Sequence, residues 1–310
     1  MTIPFKDTFI PFLGVVEDVV DPLKQGRVQV RCYGYHTSNK AYIPTEYLQW
    51  FQNLVSNSAG VSGKGRSPTG LVNGSTVFGY FLDKTLQSGL IVGAISGTPT
   101  HPSYIDLGFN DPSGRYPEYI AESDVNRLAR ENGSEHWLYA IKESNRLKNI
   151  QGPLRGGEWS EPEYENNAIY PKNDVYETES GHIKEFDDTP GSERIHEYHK
   201  AGTYYEVRPD GSKVTKVVGD NYDIVAGDDF VYVRGSVNLT IDADVRTYIK
   251  GNMVTQIDGN KTEVVLGTVT EIYQDQAIEV KGSQTTNAGD VVSNSNSYEN
   301  NSGSIKLNEG

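Results

Sequence analysis

The sequence predicts an all-β chain in three parts: a small closed barrel at the N-terminus, a short partly helical linker, and a C-terminal needle in which three copies interleave as a trimeric β-helix. Three observations carry that prediction. Short alternating strands broken by turn residues fill the first hundred positions, an acidic Gly/Pro/Glu-rich stretch follows, and glycines then recur on an eight-residue ruler.

The barrel comes first. Phe12-Leu-Gly-Val-Val-Glu-Asp-Val-Val20 reads as a strand, and Asp21-Pro-Leu-Lys-Gln-Gly26 as a turn. Asp-Pro opens such a turn, and Gly26 closes it with a φ that other residues resist. Arg27-Val-Gln-Val-Arg31 alternates, so the pair is a hairpin. Gly74-Ser-Thr-Val-Phe-Gly-Tyr-Phe81 and Gly89-Leu-Ile-Val-Gly-Ala-Ile-Ser-Gly97 form a second pair. About five strands in roughly 90 residues fit a closed barrel of the oligonucleotide/oligosaccharide-binding (OB) type. Such barrels often bind single-stranded nucleic acid through stacking rings in a basic groove. Tyr33, Tyr35, Tyr42, Trp50 and Phe51 supply rings and Lys40, Lys64 and Arg66 supply charge, yet residues 1–100 carry a net charge of only +2. The rings are therefore expected in the core or at subunit contacts, with no nucleic-acid partner. Cys32 is the single cysteine, expected as a buried strand residue.

In the linker, Ser123 is placed to cap a helix over Asp124-Val-Asn-Arg-Leu-Ala-Arg-Glu131 that Gly133 ends. Residues 123–150 are the stretch most suited to helix, and 151–174 read as an extended acidic linker.

The needle rests on periodicity. Gly211, Gly219, Gly227, Gly235, Gly251, Gly259 and Gly267 keep an eight-residue spacing that only Ala243 interrupts. Two positions before the corners stand Val217, Val225, Val233, Ile241, Ile249, Ile257 and Val265. A fixed repeat describes the architecture of a whole segment. Eight is even and strand side chains alternate, so each equivalent residue returns to the same face. The glycines are expected at corners that need positive φ or close backbone approach. Repeats this short bury an apolar face only against neighbours, and a single-chain prism leaves open edges. Three interleaved chains remove them, each octad climbing about 4.8 Å and eight octads about 40 Å. One octad breaks the pattern: Lys261 and Glu263 hold the inward parity, with Val264 and Leu266 outward. Either the register shifts there or the interior is polar. The ruler then frays at Asp275, Gly282 comes one residue early, and Asn/Ser/Gly-rich sequence follows.

Composition narrows the function. The net charge of −14 concentrates in residues 101–200 (−9) and 201–310 (−7), which disfavours nucleic acid and anionic lipid as partners. With no apolar run of about 18 residues and no charged-then-apolar leader, the sequence predicts neither a membrane span nor a secretory signal. It contains no phosphate-binding loop, nucleophile elbow or HExxH. His196 and His199 form HxxH, but on an alternating strand they face opposite sides, which suits solvent-facing or interchain hydrogen bonding better than chelation. Asp220, Asp228, Asp244 and Asp258 sit in octads with one glycine, unlike nine-residue calcium repeats. No catalytic residue, cofactor or metal ligand is assigned.

Two blocks carry a family resemblance. Gly14-Val-Val-Glu-Asp18 followed by Asp21-Pro-Leu-Lys-Gln-Gly-Arg-Val28 resembles the OB domain of the central spike proteins of contractile-tailed bacteriophages, relatives of the VgrG-type spikes of type VI secretion. Ile43-Pro-Thr-Glu46, Trp50, Ser67-Pro-Thr-Gly70 and Phe81-Leu-Asp-Lys84 are closer to the phage branch. Tyr176-Glu-Thr-Glu-Ser-Gly-His-Ile-Lys-Glu-Phe-Asp-Asp-Thr-Pro-Gly191, running on through Glu193-Arg-Ile-His196, Glu197-Tyr-His199 and Gly202-Thr-Tyr204, resembles the entry to that family's trimeric β-helix.

The resemblance implies a homotrimer in the virion, at the tail baseplate. Its OB domain would contact a hub protein, its needle would puncture the host envelope, and a separate tip protein at the needle's end would be a further partner. The domains would be 1–115 (OB), 116–174 (linker with a short helix) and 175–310 (needle). One branch of the family carries a lysozyme domain between barrel and needle. Here the 36 residues between Gly133 and Tyr170 fall well short of the roughly 100 such a domain needs. Glu179 and Asp188 have the spacing of the lysozyme acids, but Arg194 stands where its threonine belongs. The implied protein is structural and not an enzyme. A type VI spike, or less favoured a tailspike polysaccharide depolymerase, is the alternative.

Overall fold

The computed structural model describes residues 9–55, 57, 62–64, 70–152 and 157–294. The chain divides into two compact units, 1–243 and 244–310. Of the residues named above, Arg66, Ser67, Pro68 and Thr69 lie outside the described residues, as do 295–310.

The first unit opens with five strands: β1 (Ile10–Asp18), β2 (Val28–Cys32), β3 (Trp50–Asn53), β4 (Thr76–Phe81) and β5 (Gly89–Ala94). They close in the order β1-β2-β3-β5-β4, with β3 and β5 parallel and the other pairs antiparallel. Phe12, Val16, Val28, Val30, Cys32, Phe51, Val77, Phe81 and Ile91 fill the interior. Burial pushes the Cys32 thiol up to about 12, which keeps it an unreactive core residue. The turn before β2 is organised by Asp21. Its carboxylate accepts from the amides of Leu23, Gln25 and Arg27 and from the Arg27 guanidinium, whose hydrogen bonds hold it well below the usual carboxylate range. Gly26 has a φ of 72°, as the turn chemistry predicts.

A bulge between Val16 and Asp18 breaks the alternation of β1, and Glu17 turns inward beside Val16. There it meets Arg31, with both side chains fully buried and Nε to Oε1 at 2.6 Å. Arg31 also donates to the carbonyls of Thr37 and Ile43, while Glu17 accepts from the Thr45 hydroxyl and the Phe109 amide. One ion pair thus pins the β2–β3 connection and the segment around Phe109 to the barrel wall. Gly108 approaches it so closely that a Cβ would lie 2.3 Å from Arg31 Nε.

The predicted helix over 124–131 does not form. The segment folds into turns, and the helix α1 (Trp137–Ser144) begins beyond Gly133, capped by the His136 side chain. The physical reason is competition from local side-chain bonds. Ser123 Oγ accepts from the Val125 amide, Asn126 Oδ1 from the Leu128 amide, and Arg130 donates to the Val125 carbonyl. Residues 151–174 are also more than a linker. The short strands β6 (Ile150–Gln151) and β7 (Glu158–Trp159) pair with each other, and Tyr164 and Ala168 are buried.

Next comes an antiparallel meander of β8 (Asn173–Glu177), β9 (Ile183–Asp187), β10 (Arg194–Tyr198), β11 (Tyr204–Val207) and β12 (Lys213–Lys216). Each hairpin turn holds a positive-φ glycine: Gly181, Gly191, Gly202 and Gly211. The block expected to enter a β-helix is therefore, in the single chain, a flat-topology sheet. Leu128, Leu138, Tyr164, Ile183, Tyr198 and Tyr204 form its core, beneath Trp137 and Tyr139 of α1.

From Val217 the architecture changes. Among the described residues of 217–294 there is no strand, and no backbone–backbone hydrogen bond joins them. Bends recur at 218–219, 226–227, 234–235, 242–243, 250–251, 258–259, 266–267 and 274–275, and then at 281–282.

Candidate assembly interface

The octad residues fall where the ruler puts them. Gly219, Gly227, Gly235, Gly251, Gly259 and Gly267 each occupy a bend, and so do Ala243 and Asp275. Gly211 does not: it closes the β11–β12 hairpin at φ 79°. The six bend glycines lie outside the left-handed region, and a Cβ on any of them meets nothing within 4 Å. Positive φ is thus corrected as the reason for glycine, and no close approach occurs within one chain.

Every residue of 217–294 is exposed. The row two positions before the bends is nonetheless the most sheltered, with Val217 38%, Ile241 47% and Ile249 48% exposed, against 88% for Ile224, 85% for Tyr248 and 91% for Val254. Even this row is at least 38% exposed. Exposed apolar residues repeated in this way are a feature of interaction surfaces. The bends at 258–259 and 266–267 keep the eight-residue spacing, so the register does not shift in the defective octad. Lys261 and Glu263 retain the parity of Ile257 and Val265, and are ion-paired at 2.7 Å.

A second cluster, invisible in the sequence, lies under α1. The meander buries its charged residues: Glu185, Arg194, His196 and Glu206 are all under 7% exposed, while Phe186 and Ile195 on the other face are 44% and 41% exposed. Glu185 accepts from Arg194 (2.9 Å), from His196 Nδ1 (2.6 Å) and from Asn173 (3.0 Å). Lys142 reaches down from α1 to Glu206 at 2.7 Å and to His196 Nε2 at 3.2 Å. Lys142 carries only donors, so Nε2 accepts and Nδ1 holds the proton that Glu185 receives. Burial lowers His196 against the raising pull of the Glu185 hydrogen bond, and the Lys142 and Arg194 charges add to the lowering, which favours the neutral ring. Burial also lowers the Lys142 ammonium to about 8, against the raising effect of Glu206. Burial works to raise the Glu185 carboxyl, but the His196 hydrogen bond and the Arg194 charge bring it down to about 2. Lys142 Nζ lies 4.1 and 3.8 Å from the Tyr164 and Tyr204 ring centres.

This cluster corrects one expectation. His196 is buried and fixes α1 to the sheet, whereas His199 is exposed and packs at a tilt against His182, ring centres 4.5 Å apart. The two do face opposite sides. No group of three or more His, Cys, Asp or Glu able to hold a metal occurs among the described residues. Glu179 binds Arg115 and Tyr116, and Asp188 is exposed just after β9. Among the acids of the interval, Glu161 accepts from Lys216 and Tyr204, and Glu163 from Arg146. Glu161 is held below its ordinary range by those bonds despite burial, so it stays ionised.

The rings of the barrel are mostly engaged within it. Tyr33 stacks on Phe109 at 4.3 Å, Tyr35 packs edge-on to Phe81, Arg27 covers Trp50 and Phe51 is core, while Tyr42 is 80% exposed. Lys40 donates to the Ile105 carbonyl, and Lys64 is exposed. No described helix is long and apolar enough to cross a membrane.

A closed five-stranded barrel, an antiparallel sheet over a buried ion cluster and an unpaired octad run define the class, a repeat-bearing structural β protein. Residues 33–175 match the family Gp5 N-terminal OB domain. Over 254 residues the chain is 40% identical to Protein Gp5 of Vibrio phage KVP40, covering 71% of this chain and 60% of that protein. Over 141 residues it is 40% identical to the Pre-baseplate central spike protein Gp5 of Enterobacteria phage T4, covering 43% of this chain and 24% of that one. The chain is a relative of the central baseplate spike proteins of contractile-tailed phages. It spans about 60% of the length of the Vibrio phage protein and about a quarter of that of the T4 protein.

Proposed function

We propose that the chain is the structural central spike of a contractile phage tail, a homotrimer whose needle punctures the host envelope when the sheath contracts. The observation that carries this reading is the octad run itself. From Val217 on, the apolar rows stay exposed and no backbone–backbone hydrogen bond joins the described residues, yet the bends keep an eight-residue spacing. Two further copies supply both. Strands from three chains paired above and below leave few open edges, and such a shaft cannot shear without breaking many hydrogen bonds together. The row Val217, Val225, Val233, Ile241, Ile249, Ile257 and Val265 would line its interior, with the bend glycines at its corners.

The needle would begin after β12, with Gly211 in the collar that precedes it. The OB barrel would meet the baseplate hub, and the far end of the needle would accept a tip protein. The protein would be made in the host cytoplasm and end in the virion baseplate. It would act by force alone, with no catalytic step. Sedimentation of the purified chain, with SDS resistance in parallel, tests the assembly: a trimer that survives SDS without heating is expected, and a folded monomer at micromolar concentration overturns the reading. The non-enzymatic part is tested separately on labelled peptidoglycan. No soluble fragments are expected; release that Glu161→Gln abolishes would overturn it.

A further inference from the structure

The octad Asn260–Gly267 breaks the apolar pattern without breaking the ruler. Its bends lie eight residues from their neighbours, so its side chains keep the faces of the repeats before and after. Residues two apart on an extended chain share a face, and the 2.7 Å contact between Lys261 and Glu263 is the local expression of that. Both therefore project to the side of Ile257 and Val265, which the trimer reading makes the interior. In the next octad, Glu271 on the same parity also attracts Lys261 and accepts from the Tyr273 hydroxyl.

Apolar rows cannot align three chains by themselves. The position two before each bend is Val or Ile in seven successive octads. Sliding one chain by eight residues leaves like against like at four of the six overlapping positions and sets Val against Ile at two, so neighbouring registers bury nearly the same surface. A polar layer removes that degeneracy, because a slipped chain would set Lys261 against the Met253 or Val269 row and cost each buried charge its inter-chain partner. Breaking a buried pair costs far more than the intact pair contributes, which is how single polar layers specify register in other repeat assemblies.

We propose that Lys261 and Glu263 of three chains close an ionic layer inside the needle that fixes the mutual register of the chains. This rests on the trimeric reading above. Each Lys261 is flanked by its own Glu263 and by that of a neighbouring copy, so attraction runs around the axis. The layer is a specificity device: it selects one alignment among several of similar apolar burial.

Charge reversal and charge exchange test it on the full-length protein, with denatured chain refolded by dilution and analysed by sedimentation velocity and SDS gel. Lys261→Glu places only acids in the layer and should cut the yield of SDS-resistant trimer at least tenfold. Adding Glu263→Lys to it should restore the yield to within about twofold of wild type. Lys250→Glu, the same charge change on the outward parity, should leave the yield unchanged. The apolar pair Lys261→Val with Glu263→Val should still associate, but refold into several species where wild type gives one. A Lys261→Glu trimer indistinguishable from wild type, or a single homogeneous trimer from the apolar pair, overturns the proposal. Wild-type chain that sediments as a monomer instead overturns the trimer reading beneath it.

Discussion

The barrel and meander, on one side, and the octad run, on the other, satisfy their backbones by different means. Between Ile10 and Lys216 nearly all structure is hairpins and closed pairings made within one chain, with glycines at positive φ in the turns. From 217 to 294 the chain bends as regularly as the hairpins do, yet none of its amides reaches another of its carbonyls. The difference is one of sequence separation. A hairpin returns the chain to itself after a few residues, whereas a one-strand octad advances and never returns. Regular local sequence is thus common to both regions, and only the first is self-sufficient.

The sharpest way to break this contrast is to separate the regions. A chain ending at Lys216 is expected to stay monomeric and to melt cooperatively, while the full chain sediments as a trimer. Trimer retained by the truncated chain would show that the barrel or meander drives association. A nearly equal effect is expected from Ile241→Asp, which places three carboxylates in the sheltered row. Thr240→Asp, one residue away on the outward parity, should have little effect, as read by the fraction resistant to SDS.

Smaller effects belong to the self-sufficient region. Arg31→Met leaves Glu17 buried without its cation, and should destabilise the barrel by about 3–5 kcal/mol in denaturant unfolding with the octad run unaffected. The meander should be acid-sensitive through Glu185. Its folded-state value of about 2 lies below the ordinary 4.5, so its contribution is fully present above pH 4.5 and is lost as the pH falls through about 2. The loss is on the order of 3 kcal/mol. Thermal melts between pH 6 and 2 should follow that course, and Glu185→Gln should flatten the slope at the cost of lower stability at pH 6.

Much of this contrast was legible in the sequence, because its causes are local or periodic. Asp21 and Gly26 announce the first hairpin through turn chemistry, and the octad bends fall where the glycines predict. The meander was not legible, since its parity runs against hydropathy: it buries Glu185 and His196 and exposes Phe186 and Ile195. Lys142, 54 residues before His196 and 64 before Glu206 in sequence, joins Arg194 in making that face habitable, and no local pattern links Lys142 to the sheet. The helix was misplaced for a related reason. Ser123 offers a good cap, but Asn126 and Arg130 spend their side chains on nearby backbone and hold the segment in turns.

The lack of backbone–backbone pairing among the described residues from 217 onward would also set the time course of the molecule's birth. On the trimeric reading proposed above, a segment that finds no backbone partner in its own chain gains nothing by waiting, so its ordering would be a collision event whose rate rises with the concentration of like chains. Barrel and meander can mature while a single polypeptide is still leaving the ribosome; the octads of an isolated copy would remain open to solvent, exchanging their amide hydrogens as quickly as an unfolded peptide. Hydrogen exchange followed during assembly would record two clocks in one chain, the first indifferent to dilution and the second slowed by it.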